Sequence, residues 1–129
     1  MEHEDLPALQ EAVARNLVRH RSILDIISKL EESDAKINRA VARAVTMCGC
    51  IQIHASKQVF DGDLTHSLET VNYHVNGELC DQCREQVETE LGRHLYYLAA
   101  LCNALQVDAG KVVKTELRRL AALGLFTLA

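Results

Sequence analysis

The sequence contains little that would interrupt a helix or favour a sheet. Its 129 residues include one proline, six glycines and no tryptophan, so helices can be long. Valine, isoleucine, threonine and aromatic residues do not gather in alternating runs, and no two segments are joined by a hairpin signature. We therefore predict an all-α fold, a bundle of about four to five helices that forms one domain over residues 1–129, with disorder at residues 1–5.

The sequence also lacks features of membrane, secreted and nucleic-acid-binding proteins. No apolar run approaches the roughly 18 residues that cross a bilayer, and the acidic segment 1–7 has no apolar core of a signal peptide. A formal net charge of −4 is unfavourable for neutralising the phosphates of a nucleic acid. We therefore expect a cytoplasmic protein whose partners include neither a membrane nor a nucleic acid.

Apolar residues recur at steps of three and four along several stretches, which predicts helices. A first helix fits residues 6–19. The pattern over residues 22–50 is either one long helix or two collinear helices, because Ser33 or Asp34 can cap a second helix. A short helix is expected around residues 64–71.

The strongest helical pattern runs from about Glu78 to about Asn103. One apolar stripe follows this helix: Leu79, Cys83, Val87, Leu91, Leu95, Leu98, Cys102 and Leu105. Gly92 in its middle costs about 1 kcal/mol relative to alanine, and a neighbouring helix packed close to the backbone would explain a glycine there. Asp108 is the expected N-cap of a last helix that stops at Gly124.

Three short motifs follow one another in the second half of the chain. They are Glu90-Leu91-Gly92, the apolar run Leu95-Tyr96-Tyr97-Leu98, and the turn Leu105-Gln106-Val107-Asp108. Through them the segment Thr89–Val113 resembles one half of the MazG-like, all-α nucleotide pyrophosphohydrolase superfamily. The resemblance implies a homodimer or homotetramer assembled by helix packing, with a nucleotide as a candidate ligand.

The resemblance also implies a chemistry from which this chain departs. Members of the superfamily hydrolyse nucleoside triphosphates with Mg²⁺, held by an E-x-x-E motif on one helix and an E-x-x-D motif on the facing helix. Such spacings place carboxylates on one helix face, and Mg²⁺ prefers oxygen ligands. Here Glu90 matches the first acid of E-x-x-D, but Arg93 stands at the aspartate position. No acid occurs between Arg39 and Phe60, so a Mg²⁺ site is not expected to survive.

Two groups of charged residues remain as weaker site candidates. The carboxylate candidates for an altered catalytic site are Glu85, Glu88 and Glu90. The candidates for contacting the phosphates of a nucleotide are Lys36, Arg39 and Arg43. For both groups the alternative is a solvated helix face, because charges of both signs are interspersed. His94 has no visible partner for acid–base chemistry and is expected to pack beside the core.

Four of the five cysteines occur in two close pairs, Cys48-Gly49-Cys50 and Cys80-Asp81-Gln82-Cys83. In the cytoplasm such cysteines are more often thiols or metal ligands than disulfides. The resemblance implies that their helices are neighbours, so the pairs can converge on Zn²⁺ or an iron–sulfur cluster, with His54 and His74 as substitute ligands. The alternatives are a redox pair at Cys80 and Cys83, or cysteines that only pack, as expected for Cys102.

These observations predict a MazG-like helical protein with a degraded Mg²⁺ site and a cysteine-rich metal site. It would act as a binding or regulatory module rather than as an efficient enzyme. One alternative is a Mg²⁺-dependent nucleoside triphosphate pyrophosphohydrolase. Another is a structural or interaction protein whose cysteines are buried for packing.

Overall fold

Five α-helices account for most of residues 2–60 and 62–126, which are the residues that the computed structural model describes. The helices are α1 (Glu2–Asn16), α2 (Ile23–Arg43), α3 (Leu64–Thr70), α4 (Asp81–Ala104) and α5 (Ala109–Leu123). A π-helical turn, Ala44–Cys48, continues α2, and a 3-10 turn, Gly124–Phe126, follows α5. The predicted, mainly helical fold is therefore confirmed. Among the described residues, no helix combines the length and the hydrophobicity that a bilayer crossing requires.

Within the segment 22–50, residues 23–48 form one continuous helix rather than two. Ser22 is the N-cap of α2, and its side chain accepts a hydrogen bond from the Leu24 backbone N–H at 3.3 Å. Ser33 lies within the helix and is buried. Its hydroxyl pairs with His94 and does not cap a second helix. The α-helical pattern changes only at Ala44, where the π-helical turn begins.

A small antiparallel sheet is the part of the fold that the sequence pattern missed. Strand β1 (Ile51–Ile53) pairs with β2 (Val75–Gly77), with Ile51 opposite Gly77. The predicted all-α fold did not include this sheet. Each strand has only three residues, which is too short for an alternating pattern, and the long connection contains α3 instead of a hairpin turn.

The main core lies where α4 packs against α2 and α1. Its buried residues are Val13, Leu17, Ile26, Ala99 and Ala100. Ile26 lies near the start of α2 and Ala99 near the end of α4, whereas Ala44 just after α2 joins a second cluster with Cys83 at the start of α4. The two longest helices therefore run antiparallel.

The apolar stripe predicted for α4 is buried at Cys83, but its leucines do not form the buried face of the helix. Leu91, Leu95 and Leu98 are 44%, 47% and 39% exposed, whereas the buried residues of α4 are Cys83, Ala99 and Ala100. The small side chains of these alanines let α1 and α2 approach α4 closely. The alanines therefore make the helix contacts that the leucines were expected to make.

The explanation expected for Gly92 is wrong. A Cβ added at Gly92 would meet no atom within 4 Å, so no neighbouring helix explains this glycine. His94 is half-buried between the helices, and its Nδ1 lies 2.6 Å from the Ser33 Oγ. That pair links the middle of α4 to the middle of α2.

The last helix lies where the sequence predicts it, and a side chain of α1 forms hydrogen bonds with the backbone around its N-terminus. Asp108 is the N-cap of α5 and accepts a hydrogen bond from the Lys111 backbone N–H at 3.2 Å, and α5 ends before Gly124. Gln10 of α1 donates to the Val107 carbonyl at 2.7 Å and accepts from the Ala109 backbone N–H at 2.9 Å.

Candidate metal centre

Cys48, Cys50, Cys80 and Cys83 meet at the end of the molecule where α2 stops and α4 begins. Their sulfur atoms all lie within 4.8 Å of one another. The Cys48 and Cys80 Sγ atoms are 3.8 Å apart. The two cysteine pairs therefore converge, and the group can bind a metal ion.

The first pair is presented by a sharp change of direction after α2. The Gly49 backbone N–H donates to the Ala44 carbonyl at 2.9 Å, which closes the π-helical turn. Gly49 has a φ of +78°, in the left-handed region that glycine adopts without a steric penalty. The chain thus leaves the helix between Cys48 and Cys50, and both thiols can face the same point.

The two-stranded sheet brings the second pair to the first. Cys50 directly precedes β1, and its backbone carbonyl passes beside Gly77, the last residue of β2. A Cβ added at Gly77 would lie 2.5 Å from the Cys50 carbonyl oxygen, and the φ of Gly77 is +87°. Only glycine fits this position without movement, and the chain then reaches Cys80 within three residues.

Cys80 is also the N-cap of α4. Its Sγ accepts a hydrogen bond from the Cys83 backbone N–H at 3.4 Å, where the helix dipole favours a negative charge. This backbone hydrogen bond and a second one from the Cys83 thiol lower the pKa of Cys80 to about 7. The hydrogen bond to Cys80 and burial raise the pKa of Cys83 to about 12. One thiolate therefore forms readily, and a bound cation would be needed to stabilise the others.

The surroundings shield the cysteines on one side only. Cys83 belongs to a small buried cluster with Ala44 and Ile51, while Cys48 is exposed. The low polarity of this cluster strengthens the attraction between thiolates and a cation, and the exposed side leaves a path by which an ion can enter.

The histidines considered as substitute ligands lie elsewhere. The His54 backbone N–H donates to the His74 carbonyl at 3.0 Å, just beyond the Ile53–Val75 pair of the sheet. The cysteines lie beyond the other end of the sheet, next to the Ile51–Gly77 pair. Within the described residues, the group of potential ligands around the four sulfur atoms includes neither histidine and does not include Cys102.

The charged candidates line a separate groove of about 600 Å³ between α2 and α4. Its charged residues are Lys36, Arg39 and Arg43 from α2, with Glu85, Glu90 and Arg93 from α4. Glu88 is not among the lining residues, so the three predicted carboxylates do not form one cluster there. The Arg93 guanidinium donates to the Glu90 carboxylate at 3.0 Å. Glu90, the acid that best matches a Mg²⁺ ligand, is therefore engaged in an ion pair.

Comparison with known proteins finds no matching family model, no similar curated protein and no similar solved structure.

Proposed function

We propose that this protein is a helical metal-binding module in which Cys48, Cys50, Cys80 and Cys83 bind one Zn²⁺ ion. The observation that carries the proposal is the mutual distance of the four sulfur atoms, at most 4.8 Å. In a tetrahedral site with Zn–S bonds of about 2.3 Å, neighbouring sulfur atoms are about 3.8 Å apart. The Cys48–Cys80 distance of 3.8 Å equals this value, so the other sulfur atoms need only small movements.

A single ion fits these distances better than an iron–sulfur cluster. A cluster distributes its cysteine ligands over several iron atoms, and the sulfur atoms then lie farther apart than around one ion. A single iron ion would require the same tetrahedral ligands as zinc, and metal analysis distinguishes the two.

Four thiolates around zinc define a structural or regulatory site. Catalytic zinc sites keep one position for water or substrate, whereas four protein ligands fill the coordination sphere. The ion would join three parts of the chain, namely the π-helical turn, the start of β1 and the N-terminus of α4. This role agrees with a binding or regulatory module rather than with an enzyme.

We also propose that the chain is a divergent member of the MazG-like superfamily. The proposal is supported by the Glu90-Leu91-Gly92 motif and its aromatic run, and by the antiparallel pairing of α2 with α4. In such a relative the Arg93–Glu90 ion pair would replace the Mg²⁺ ligands, and the cysteine site would lie at the neighbouring end of the same helix pair.

Metal analysis of protein purified without a chelator tests the zinc site. We expect one zinc ion per chain in the unmodified protein, and clearly less than one in Cys80→Ser. Serine is itself a good N-cap, so this substitution removes the ligand while preserving the start of α4. The matched control is Cys102→Ser. This variant changes a cysteine of α4 that lies outside the cluster, so the protein should keep one zinc ion per chain. If the unmodified protein contains no metal, the zinc proposal is wrong. The alternative of a structural or interaction protein whose cysteines serve only for packing would then remain.

Nucleoside triphosphate hydrolysis is the second candidate function, and the groove between α2 and α4 is the observation that favours it. Glu85 and Glu90 line this groove together with Arg39 and Arg43. The test is the release of pyrophosphate from nucleoside triphosphates with Mg²⁺. If the hydrolase is real, Glu90→Gln abolishes release while Glu88→Gln, outside the groove, does not. Our preferred function predicts no release above background.

A further inference from the structure

Cys48 is the exposed member of the four-cysteine cluster. It is the last residue of the π-helical turn, and the next residue, Gly49, lies in open space, since a Cβ there would meet no atom within 4 Å. Cys50 and Cys80 are partly buried, and Cys83 is buried. A small solute therefore reaches the Cys48 sulfur more readily than the other three, and accessibility is one of the properties that decide which cysteine is oxidised first.

A second sulfur atom lies beside the accessible one. The Cys80 Sγ is 3.8 Å from the Cys48 Sγ, whereas the two sulfur atoms of a disulfide are about 2.05 Å apart. Closing this pair therefore requires a movement of about 1.8 Å. The exposed end of the π-helical turn can make that movement, because no side chain is packed around Gly49. An oxidised cysteine with a second thiol so close forms a disulfide.

The other two cysteines of the cluster are less suited to this reaction. The Cys50 thiol donates to the Ala44 carbonyl at 3.8 Å, which directs it towards the backbone of the π-helical turn. Cys83 lies in the buried cluster with Ala44 and Ile51, where the protein shields it from a dissolved oxidant. The geometry therefore favours a cross-link between the two cysteine pairs over a disulfide within the Cys80–Cys83 pair.

We propose that Cys48 is a peroxide-reactive cysteine whose oxidation forms a Cys48–Cys80 disulfide and releases the zinc ion. This regulation rests on the proposed zinc site. The Cys48 thiolate attacks one oxygen of hydrogen peroxide, so that an S–O bond forms, the O–O bond breaks and hydroxide leaves. The Cys80 thiolate then attacks the Cys48 sulfur, so that the S–S bond forms and the S–O bond breaks with loss of a second hydroxide. The two thiolates lose two electrons in all, and the peroxide is reduced to two hydroxide ions.

Oxidation replaces one link between the helix ends by another. The disulfide uses two of the four zinc ligands and leaves Cys50 and Cys83, whereas a structural zinc site needs four ligands. The same disulfide joins two residues that are 32 positions apart, at the end of the π-helical turn and at the N-cap of α4. This end of the fold therefore stays closed when zinc leaves, and a thiol reductant restores the zinc-binding form.

Peroxide treatment of the zinc-loaded full chain tests the proposal. Zinc release is followed with a metallochromic dye, and the disulfide is mapped by mass spectrometry after free thiols are blocked and the protein is cut with trypsin. The cross-link joins fragments 44–57 and 58–84, each of which holds one cysteine pair, and fragment ions identify Cys48 and Cys80. We expect one zinc ion to be lost for each disulfide formed, and to bind again after reduction. Cys102→Ser is the matched control and should release zinc at the same rate.

The outcomes distinguish failure of the switch from failure of the zinc site. A chain that holds no zinc before oxidation refutes the zinc site, and the release of zinc with it. Zinc that stays bound under peroxide, or that leaves while a Cys80–Cys83 disulfide forms, overturns the switch and leaves the zinc site standing. Two zinc-free variants check the assigned pair. Cys83→Ser keeps both reacting thiols and should still join the two fragments, whereas equal cross-linking in Cys48→Ser would overturn the role of Cys48.

Discussion

Replacing Gly77 by alanine should weaken metal binding without altering any metal ligand. Gly77 ends β2 opposite Ile51 and passes beside the backbone of Cys50. A Cβ at this position would lie 2.5 Å from the Cys50 carbonyl oxygen, where ordinary contacts begin at 3.4 Å. Since the neighbouring atom belongs to the backbone and not to a flexible side chain, Cys50 or the strand itself has to move by nearly 1 Å.

Two contributions set the size of the effect. Alanine in the left-handed region costs roughly 1–2 kcal/mol, and the displacement should also weaken one or more sheet hydrogen bonds, each worth about 1 kcal/mol net. We therefore expect Gly77→Ala to lower the free energy of unfolding by about 2–3 kcal/mol. Metal-site distances tolerate changes of only about 0.2 Å, so a movement of Cys50 several times larger should weaken zinc binding at least about tenfold.

Gly49→Ala is the control that isolates the close contact. Gly49 also has a positive φ, +78°, but a Cβ there would meet no atom within 4 Å. It should therefore show only the left-handed cost, about 1–2 kcal/mol. Urea unfolding of the two variants, combined with a zinc competition titration, measures both quantities. Equal stability and equal zinc affinity in the two variants would refute the role assigned to the Cys50–Gly77 contact.

Three further substitutions or conditions test other parts of the structure. Gly92→Ala should raise the free energy of unfolding by up to about 1 kcal/mol, because the helix gains propensity and the added methyl group enters open space; a loss of stability in urea unfolding would contradict the open surroundings. Ser33→Ala should lower it by about 1–3 kcal/mol, because His94 loses its partner at 2.6 Å in a half-buried position; an unchanged midpoint would show that the pair contributes nothing. Zinc affinity should rise with pH, since zinc binds thiolates and releases their protons. The pKa of Cys83 at about 12 alone implies at least about a tenfold gain per pH unit throughout the neutral range, and the pKa of Cys80 at about 7 adds up to another tenfold per unit below about pH 7. A competition titration that gives no change with pH would argue against thiolate ligation.

The features predictable from the sequence are those that depend on neighbouring residues. The N-cap at Asp108 and the end of α5 before Gly124 follow from local hydrogen bonding and backbone freedom. The pairing of Cys80 with Cys83 follows from helical spacing. In each case the information lies within a few residues, so a single sequence is enough to locate the feature.

The features that the sequence pattern missed depend on distant contacts. The strand pair joins Ile51 to Gly77 across a long connection, and nothing in either three-residue segment specifies the other. The sheet requires the left-handed conformation of Gly77 and its closeness to the Cys50 backbone, and both depend on a segment far away in the sequence. The buried face of α4 was assigned to leucines. Periodicity identifies an apolar row on a helix, but it does not show which part of the structure packs against that row.

The zinc proposal addresses a shortage of buried apolar volume. Ile26 and Val13 are the largest side chains that are fully buried among the described residues, and an isolated two-stranded sheet is marginally stable at best. Small folds with limited cores commonly gain stability from a metal ion or from association. Here zinc would act at one end of the fold, since the cysteines join β1 and β2 to the helix ends. Removing zinc should therefore loosen the sheet end first, while the contact of α4 with α1 and α2 remains.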